Sequence, residues 1–381
     1  MSTAPHVFVL TASYGSGHNR VARTLGDEFE RAGATVRIVD HFRDLVHPSF
    51  DRASRRLYYG MLRRAPLAWG MAYWVGDQIP VSSPLMLGLN RLGARKLRRL
   101  LLAERPDHLV SVHPGPVAAL SFLRARGMAL PPHTTVFTDF VAHTQWIDPH
   151  VDRYCVPADE IAHDLTARGV PRDRVTVTGV PVAPSFASRP ERPAARLALG
   201  LSARLPVLLF MDGSDGGFGR LEDATRTVLA MDAPLEALVV AGHGAALEAR
   251  LRELVRGRES RVKVFGFVEN VPQLMAAADL LVTKAGGLTL AEALAAELPV
   301  VCFGSLPGQE FRNERFAAMA GVALVASSSA QLHRVMVAAL RDATLLREIR
   351  ERVHRYRRPH AASRIVEIVL QQPATAAEAA S

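Results

Sequence analysis

The sequence predicts an α/β protein of two Rossmann-like, doubly wound domains facing a cleft. Three observations carry this. Short apolar runs rich in Val, Leu and Phe alternate with helical stretches along the chain, the spacing of β-α-β units around parallel sheets. The length of 381 residues suits two domains of roughly 150–200 residues each. A boundary falls in residues 180–200, where Pro181, Pro184, Pro190 and Pro193 cannot propagate a helix and stiffen a linker, 183–200.

The elements follow in order. In the first domain, residues 1–182, strands are expected at 7–11, 35–40, 108–112, 134–138, 153–156 and 175–178, with helices at 17–32, after Gly115 and at 160–168. In the second domain, residues 201–370, strands are expected at 207–211, 237–241, 261–265, 280–282, 300–303 and 323–325. Helices follow at 288–296, 330–341, 345–357 and 361–370, the last able to pack back on the first domain. The tail 371–381 is small and polar, the composition of a disordered end.

Hydrophobic content of 49% with 22% charge is that of a globular chain. Cys155 and Cys302 show no pairing pattern and read as buried thiols in a reducing compartment. No signal-peptide pattern opens the sequence, and no apolar run reaches the roughly 18 residues of a membrane span. A cytoplasmic protein, free or lying on the membrane, is expected. The net charge of +9 sits entirely in residues 52–105, which also hold five of the nine Trp and Tyr residues. Arg63, Arg64, Trp69 and Trp74 suit an anionic lipid interface, where aromatic rings lie at headgroup level. Nucleic acid would ask for similar charge, but no nucleic-acid-binding module is present. The blander alternative is a helical insertion whose aromatics are core.

Chemistry-bearing loops follow the strands. Ser13-Tyr14-Gly15-Ser16-Gly17-His18-Asn19-Arg20 has a strand–glycine–helix layout, and Asp40 ends the next strand. That pattern invites a dinucleotide reading, but Arg20 stands at the third glycine position. His18 is the distinctive residue. A helix N-terminus disfavours imidazolium, leaving a neutral ring able to act as a base, or one that simply caps its helix. Thr138–Trp146 ends a neighbouring strand, so Asp139 is placed to orient or charge-stabilise His18 and Trp146 to form an apolar wall; Asp139 as an ordinary loop residue fits equally well. His113 either contacts an acceptor or shapes a helix start.

In the second domain, Asp212-Gly213-Ser214-Asp215 offers glycine amides to a phosphate, although its carboxylates would repel one. His243 reads as a surface residue. Three consecutive strand ends carry Phe267 and Val268, then Gly286, Gly287, Leu288 and Thr289 with Glu292, then Gln309, Glu310 and Asn313. The glycine pair opens a helix and can face an anion. Glu292 suits a ribose diol, and the last three suit sugar hydroxyls. No carboxylate cluster suggests a metal.

Taken together, the motifs Leu-Thr-Ala-Ser-Tyr-Gly-Ser-Gly-His, Thr-Asp-Phe-x-x-His-x-x-Trp-Ile, Val-Asp-Arg-Tyr, Val-Phe-Gly-Phe-Val-Glu-Asn, Thr-Lys-x-Gly-Gly-Leu-Thr-Leu-x-Glu-Ala and Pro-Gly-Gln-Glu-x-x-Asn resemble the diacylglycerol glycosyltransferases. These are the processive diacylglycerol glucosyltransferases and monogalactosyldiacylglycerol synthases, which share the GT-B architecture with MurG-type enzymes. The resemblance runs from Leu10 to about Val325. It implies Phe267 and Val268 at the uracil, Gly286, Gly287 and Thr289 at the diphosphate, and Glu292 at the ribose. Gln309, Glu310 and Asn313 would meet the sugar or its phosphate, and His18 would activate the acceptor. It implies a UDP-glucose or UDP-galactose donor, a diacylglycerol acceptor, attachment to the inner face of the cell membrane, and neither a tightly bound cofactor nor a required divalent metal. Ala285 replaces the family's common proline, a change expected to loosen that turn. The alternatives are a transferase or nucleotide-sugar epimerase with a soluble partner, and a non-catalytic UDP-sugar sensor.

Overall fold

The computed structural model of the protein describes residues 4–79, 91–213 and 220–373, so most of the expected disordered tail lies outside the described residues. Among the described residues, twelve short strands form two six-stranded parallel sheets, one in each of two compact units. The first unit comprises residues 1–182 together with 360–381, the second residues 183–359.

In the first unit the strands are β1 (His6–Thr11), β2 (Thr35–Asp40), β3 (His108–Ser111), β4 (His133–Val136), β5 (Arg153–Val156) and β6 (Val175–Val177), in the order β2-β1-β3-β4-β5-β6. The order reverses between β1 and β3, so the loops leaving these two strands diverge and open a crevice at the carboxyl edge. Helices α1 (Ser16–Arg31), α2 (Pro48–Arg64), α3 (Pro66–Gln78), α4 (Ala94–Glu104), α5 (Pro114–Ala125) and α6 (Asp159–Ala167) connect them. The basic segment 52–105 is therefore not one insertion. Helix α4 buries Ala94, Leu97 and Leu101 against Phe8, Leu10 and Leu109, so it is the crossover helix between β2 and β3. Its arginines occupy the opposite, solvent face.

The second unit contains β7 (Val207–Met211), β8 (Glu236–Val240), β9 (Val262–Phe265), β10 (Leu280–Thr283), β11 (Val300–Phe303) and β12 (Ala323–Ala326), ordered β12-β11-β10-β7-β8-β9. This is the strand order of the dinucleotide-binding Rossmann sheet, with its reversal between β7 and β10. Val, Leu and Ala on both faces of β7, β8 and β10 are buried, as a sheet covered on both sides requires. Its helices are α7 (Arg192–Ala198), α8 (Leu221–Leu229), α9 (Ala245–Leu254), α10 (Val271–Ala277), α11 (Gly287–Ala295), α12 (Gln309–Met319), α13 (Ser329–Arg341) and α14 (Ala343–Tyr356). The final helix, α15 (Ala361–Leu370), groups with the first unit and packs on α1.

The stretch expected as a linker instead folds onto the second unit. Pro193 occupies the first turn of α7, where a missing N–H costs nothing. Arg196 on that helix is buried, its Nη2 donating to Asp279 Oδ2 at 2.7 Å and its Nε to the Ala277 carbonyl at 3.0 Å. Asp279 also accepts from the Val207 amide at 2.9 Å, tying α7 to the start of β7. Removing one member of a buried, hydrogen-bonded ion pair strands the other. Arg196→Ala should therefore destabilise the second unit by about 3–5 kcal/mol, read as a lowered denaturant midpoint of its unfolding transition.

Candidate active site

Beyond β1 the chain turns through Gly15, whose φ of +86° is a left-handed conformation that disfavours other residues, and enters α1. Gly17 and His18 lie in that first turn, both half-buried. The His18 Nδ1 sits 2.8 Å from the Val112 carbonyl at the end of β3 and 3.0 Å from Thr138 Oγ1 beyond β4. A carbonyl can only accept, so Nδ1 carries the proton and the neutral ring keeps its lone pair on Nε2. Burial pushes the His18 pKa down, while the Asp139 charge and the Val112 bond pull it up. The ring is neutral, as the sequence suggested, but desolvation is the main cause.

His113 packs edge-on against His18 with ring centroids 4.9 Å apart. Its Nδ1 accepts from the Gly115 amide at 3.0 Å and caps α5, so its place is structural. Burial, with repulsion from His18 and His41, drives its pKa well below the ordinary value. Trp146 is 4% exposed and stacks on Phe137 at 4.8 Å. Expected as an apolar wall, it belongs to the buried core cluster, its ring centroid 6.4 Å from that of His18. Asp40 accepts from the Ser13 hydroxyl and, at 3.1 Å, from the Arg43 amide. Engaged as a turn cap, it is a structural carboxylate where the dinucleotide reading needs a ribose ligand. Asn19, unremarked in the sequence, completes the loop by bonding Thr11 and Ser13.

Helices α2 and α3 flank this loop. The Tyr14 hydroxyl donates to Ser54 Oγ at 2.5 Å, and its ring meets Tyr58 at 5.6 Å. At the far end, Asp77 accepts from the Thr144 amide at 2.7 Å, beyond β4. Between these anchors, Leu57, Leu67, Met71 and Trp74 are exposed, Trp74 by 58%, and Arg63 and Arg64 are exposed beside them. Trp69, by contrast, is half-buried edge-on against Tyr58 at 4.9 Å.

In the second unit the loops leaving β7 and β10 are adjacent, and a side chain on Gly213 would lie 3.8 Å from Lys284 Cε. Ser214 and residues 215–219 lie outside the described residues. Gly286 is the N-cap of α11, which has neither a side-chain cap nor an acidic first turn. The amides of Gly287, Leu288 and Thr289 thus lack a side-chain cap, a helix start of the kind that suits an anion. Glu292, one turn further along, is buried.

The turn is braced from beneath. Asn313 is 0% exposed and its Nδ2 donates to the Ala285 carbonyl at 3.1 Å. Glu310 pairs with Lys284 and accepts from the Leu306 amide at 2.9 Å. These two residues, expected at the sugar or its phosphate, brace the turn through Lys284 and Ala285; Gln309 opens α12, half-buried. The Ala285 amide donates to Ser305 Oγ at 3.1 Å, a bond proline could not make. The substitution therefore fastens the turn rather than loosening it. Phe267 is 46% exposed beyond β9, with Val268 half-buried beside it.

Residues 18–182 match the family described as monogalactosyldiacylglycerol (MGDG) synthase, and residues 217–342 the family described as glycosyl transferases group 1. The chain is 30% identical over 368 residues to the processive diacylglycerol β-glucosyltransferase of Bacillus cytotoxicus, covering 97% of this chain and 94% of the relative. It belongs to the diacylglycerol glycosyltransferase family. A Bacillus cereus protein of the same name is 29% identical with the same coverage. The solved structures of Acinetobacter baumannii MurG (TM-score 0.64, 17% identity, 96% of this chain and 99% of that one) and of the calicheamicin glycosyltransferase CalG4 (0.63, 16%, 97% and 99%) share the fold, which is GT-B. Among the described residues of this glycosyltransferase, no helix is long and apolar enough to cross a membrane, and no group of three or more His, Cys, Asp or Glu is placed to hold a metal.

The buried histidines make the first unit acid-sensitive. Burial lowers His41 to about 4 and His133 to about 3, against an ordinary value of 6.5. Both bind protons more readily unfolded. Their contribution is complete above pH 6.5 and is lost as pH falls through that value toward 4 and 3, up to roughly 3–5 kcal/mol per histidine. Unfolding midpoints measured between pH 7 and 4 should fall steadily, and His133→Gln should flatten the slope.

Proposed function

We propose that this glycosyltransferase is an inverting enzyme that moves glucose or galactose from a UDP-sugar to the free hydroxyl of diacylglycerol, or of a glycosyldiacylglycerol, giving a β-linked membrane glycolipid. The observation that carries this reading is the His18 ring: Nδ1 is tied to Val112, so Nε2 remains as the base. The names of the relatives favour glucose and the diacylglycerol acceptor.

In the proposed reaction, the acceptor hydroxyl gives its proton to His18 Nε2 as its oxygen attacks the anomeric carbon opposite the UDP. The bond to the diphosphate breaks with its electron pair, and an α donor becomes a β-glycoside. Asp139 stabilises the imidazolium formed at His18. The developing charge on the diphosphate is met by the Gly287–Thr289 amides and the positive end of α11. This assignment needs no divalent metal from the protein. Phe267 and Val268 would face the uracil and Glu292 the ribose diol. Gln309 is the candidate for the hexose.

Removing a general base costs about 10²–10⁴-fold, so His18→Ala should lose that much kcat/KM on diacylglycerol vesicles with UDP-glucose. Unchanged activity would remove His18 from this role. The acid limb of the pH profile should have its midpoint below 6.5. Asp139→Asn should move it lower still, because the lost charge is one that raises the His18 pKa. Mass analysis with UDP-glucose and UDP-galactose in competition identifies the sugar, with glucosyl lipid expected.

We assign the exposed apolar residues of α2 and α3, with Arg63 and Arg64, to an anionic membrane surface. A triple variant, Arg63→Gln, Arg64→Gln and Trp74→Ala, should lose sedimentation with anionic vesicles. It should keep its activity on detergent-dispersed acceptor; undiminished sedimentation would overturn the assignment.

A further inference from the structure

At the carboxyl edge of the second sheet, two exposed aromatic rings lie face to face. His243, in the turn between β8 and α9, stacks on Phe267 beyond β9 with ring centroids 4.0 Å apart and planes 11° apart. Both residues are solvent-exposed. Two aromatic faces at contact distance in water, outside the core, order each other's side chains and pre-set the plane of the outer faces.

The backbone brings the two rings together. Gly266 lies so close to α9 that an added Cβ would sit 2.4 Å from Glu248 Oε2. That carboxylate is held by Arg252 at 2.7 and 2.9 Å. Gly266 lets the Phe267 loop lie against the Glu248 side chain of the helix that His243 precedes.

The location fits a nucleobase. The anion site leaves β10, and the sheet runs β10-β7-β8-β9. At about 4.8 Å per strand spacing, the stacked pair stands about 10–14 Å along the same edge from the phosphate turn. That is the reach of an extended nucleoside diphosphate from its terminal phosphate to its base.

We infer that His243 is a positioning residue for the pyrimidine ring of the donor: it fixes Phe267 as a flat platform, and the base stacks on that platform. The inference rests on the UDP-sugar reading of this unit. It gives His243 a role that the sequence, which marks it only as a surface residue, does not suggest. An imidazole suits the place because it is flat and tolerates water at its edge.

The test is titration calorimetry on the full chain with UDP and, separately, inorganic pyrophosphate. His243→Ala should weaken UDP binding by about 2–10-fold, the range of one aromatic stacking pair. Pyrophosphate binding should be unchanged. His243→Phe should restore UDP affinity, since it replaces the ring without the nitrogens. The donor KM should rise in His243→Ala with kcat retained. Phe267→Ala and the double variant should show the same loss as each other, because His243 acts only through Phe267. If His243→Ala binds UDP as well as wild type, or loses pyrophosphate by the same factor, the inference falls and the donor reading stands. If wild type binds pyrophosphate but not UDP, both fall.

Discussion

One hydrogen bond organises the chemistry of the first unit: the His18 Nδ1–H donated to the Val112 carbonyl. It exists because β1 and β3 are neighbours at the point where the strand order reverses. The helix leaving β1 therefore starts beside the backbone end of β3. The carbonyl selects the tautomer, the surrounding burial keeps the ring neutral, and Asp139 lies close enough to favour the protonated form once it appears. Burial pushes the His18 pKa down, and the Asp139 charge with the Val112 bond pulls it up. The two opposed effects act on one ring whose tautomer the Val112 carbonyl fixes.

The second unit applies a different device. Its helix α11 begins with two glycines and no cap, which leaves several amides facing outward at a cost the rest of the loop offsets. Asn313, Ser305 and the Lys284–Glu310 pair hold the turn through Ala285 and its neighbours. An uncapped N-terminus that wandered would lose its value as an anion site. Here the fully buried Asn313 amide keeps the turn rigid from below. Asn313 and Glu310, which read from sequence as ligand contacts, also brace the turn at Lys284 and Ala285.

Much of the fold was legible. All twelve strands appear within about a residue or two of the positions expected, because β-branched and leucine runs buried on both faces of a parallel sheet leave a strong signal. The misread stretches are those where local chemistry was overridden by packing. Residues 183–200 look like a linker because of their prolines, yet Pro193 sits where a helix accepts proline and Arg196 docks it. Helix α4 looks like part of a basic insertion, because net charge does not reveal that Leu97 and Leu101 turn to the core. At the site, His18 and the glycine turn were legible from their loops. The Val112 carbonyl, the structural engagement of Asp40 and the burial of Trp146 were not. A backbone acceptor has no sequence signature, and a polar or aromatic residue looks the same whether it faces a ligand or the core.

Helices α2 and α3 bear directly on how His18 is held. The pair is fastened at both ends to the loops that hold His18. Tyr14, one residue before the glycine turn, is bonded to Ser54 on α2. Asp77 at the end of α3 is bonded to Thr144, and His143, the residue before Thr144, packs on Tyr73 at 4.5 Å. The same loop beyond β4 also supplies the Thr138 hydroxyl next to His18. A helical pair with so much exposed apolar surface has little reason to keep one orientation by itself. These two fastenings give it one, and they give it relative to Nε2. The exposed apolar residues of α2 and α3 and the His18 ring are thereby fastened to the same two loops.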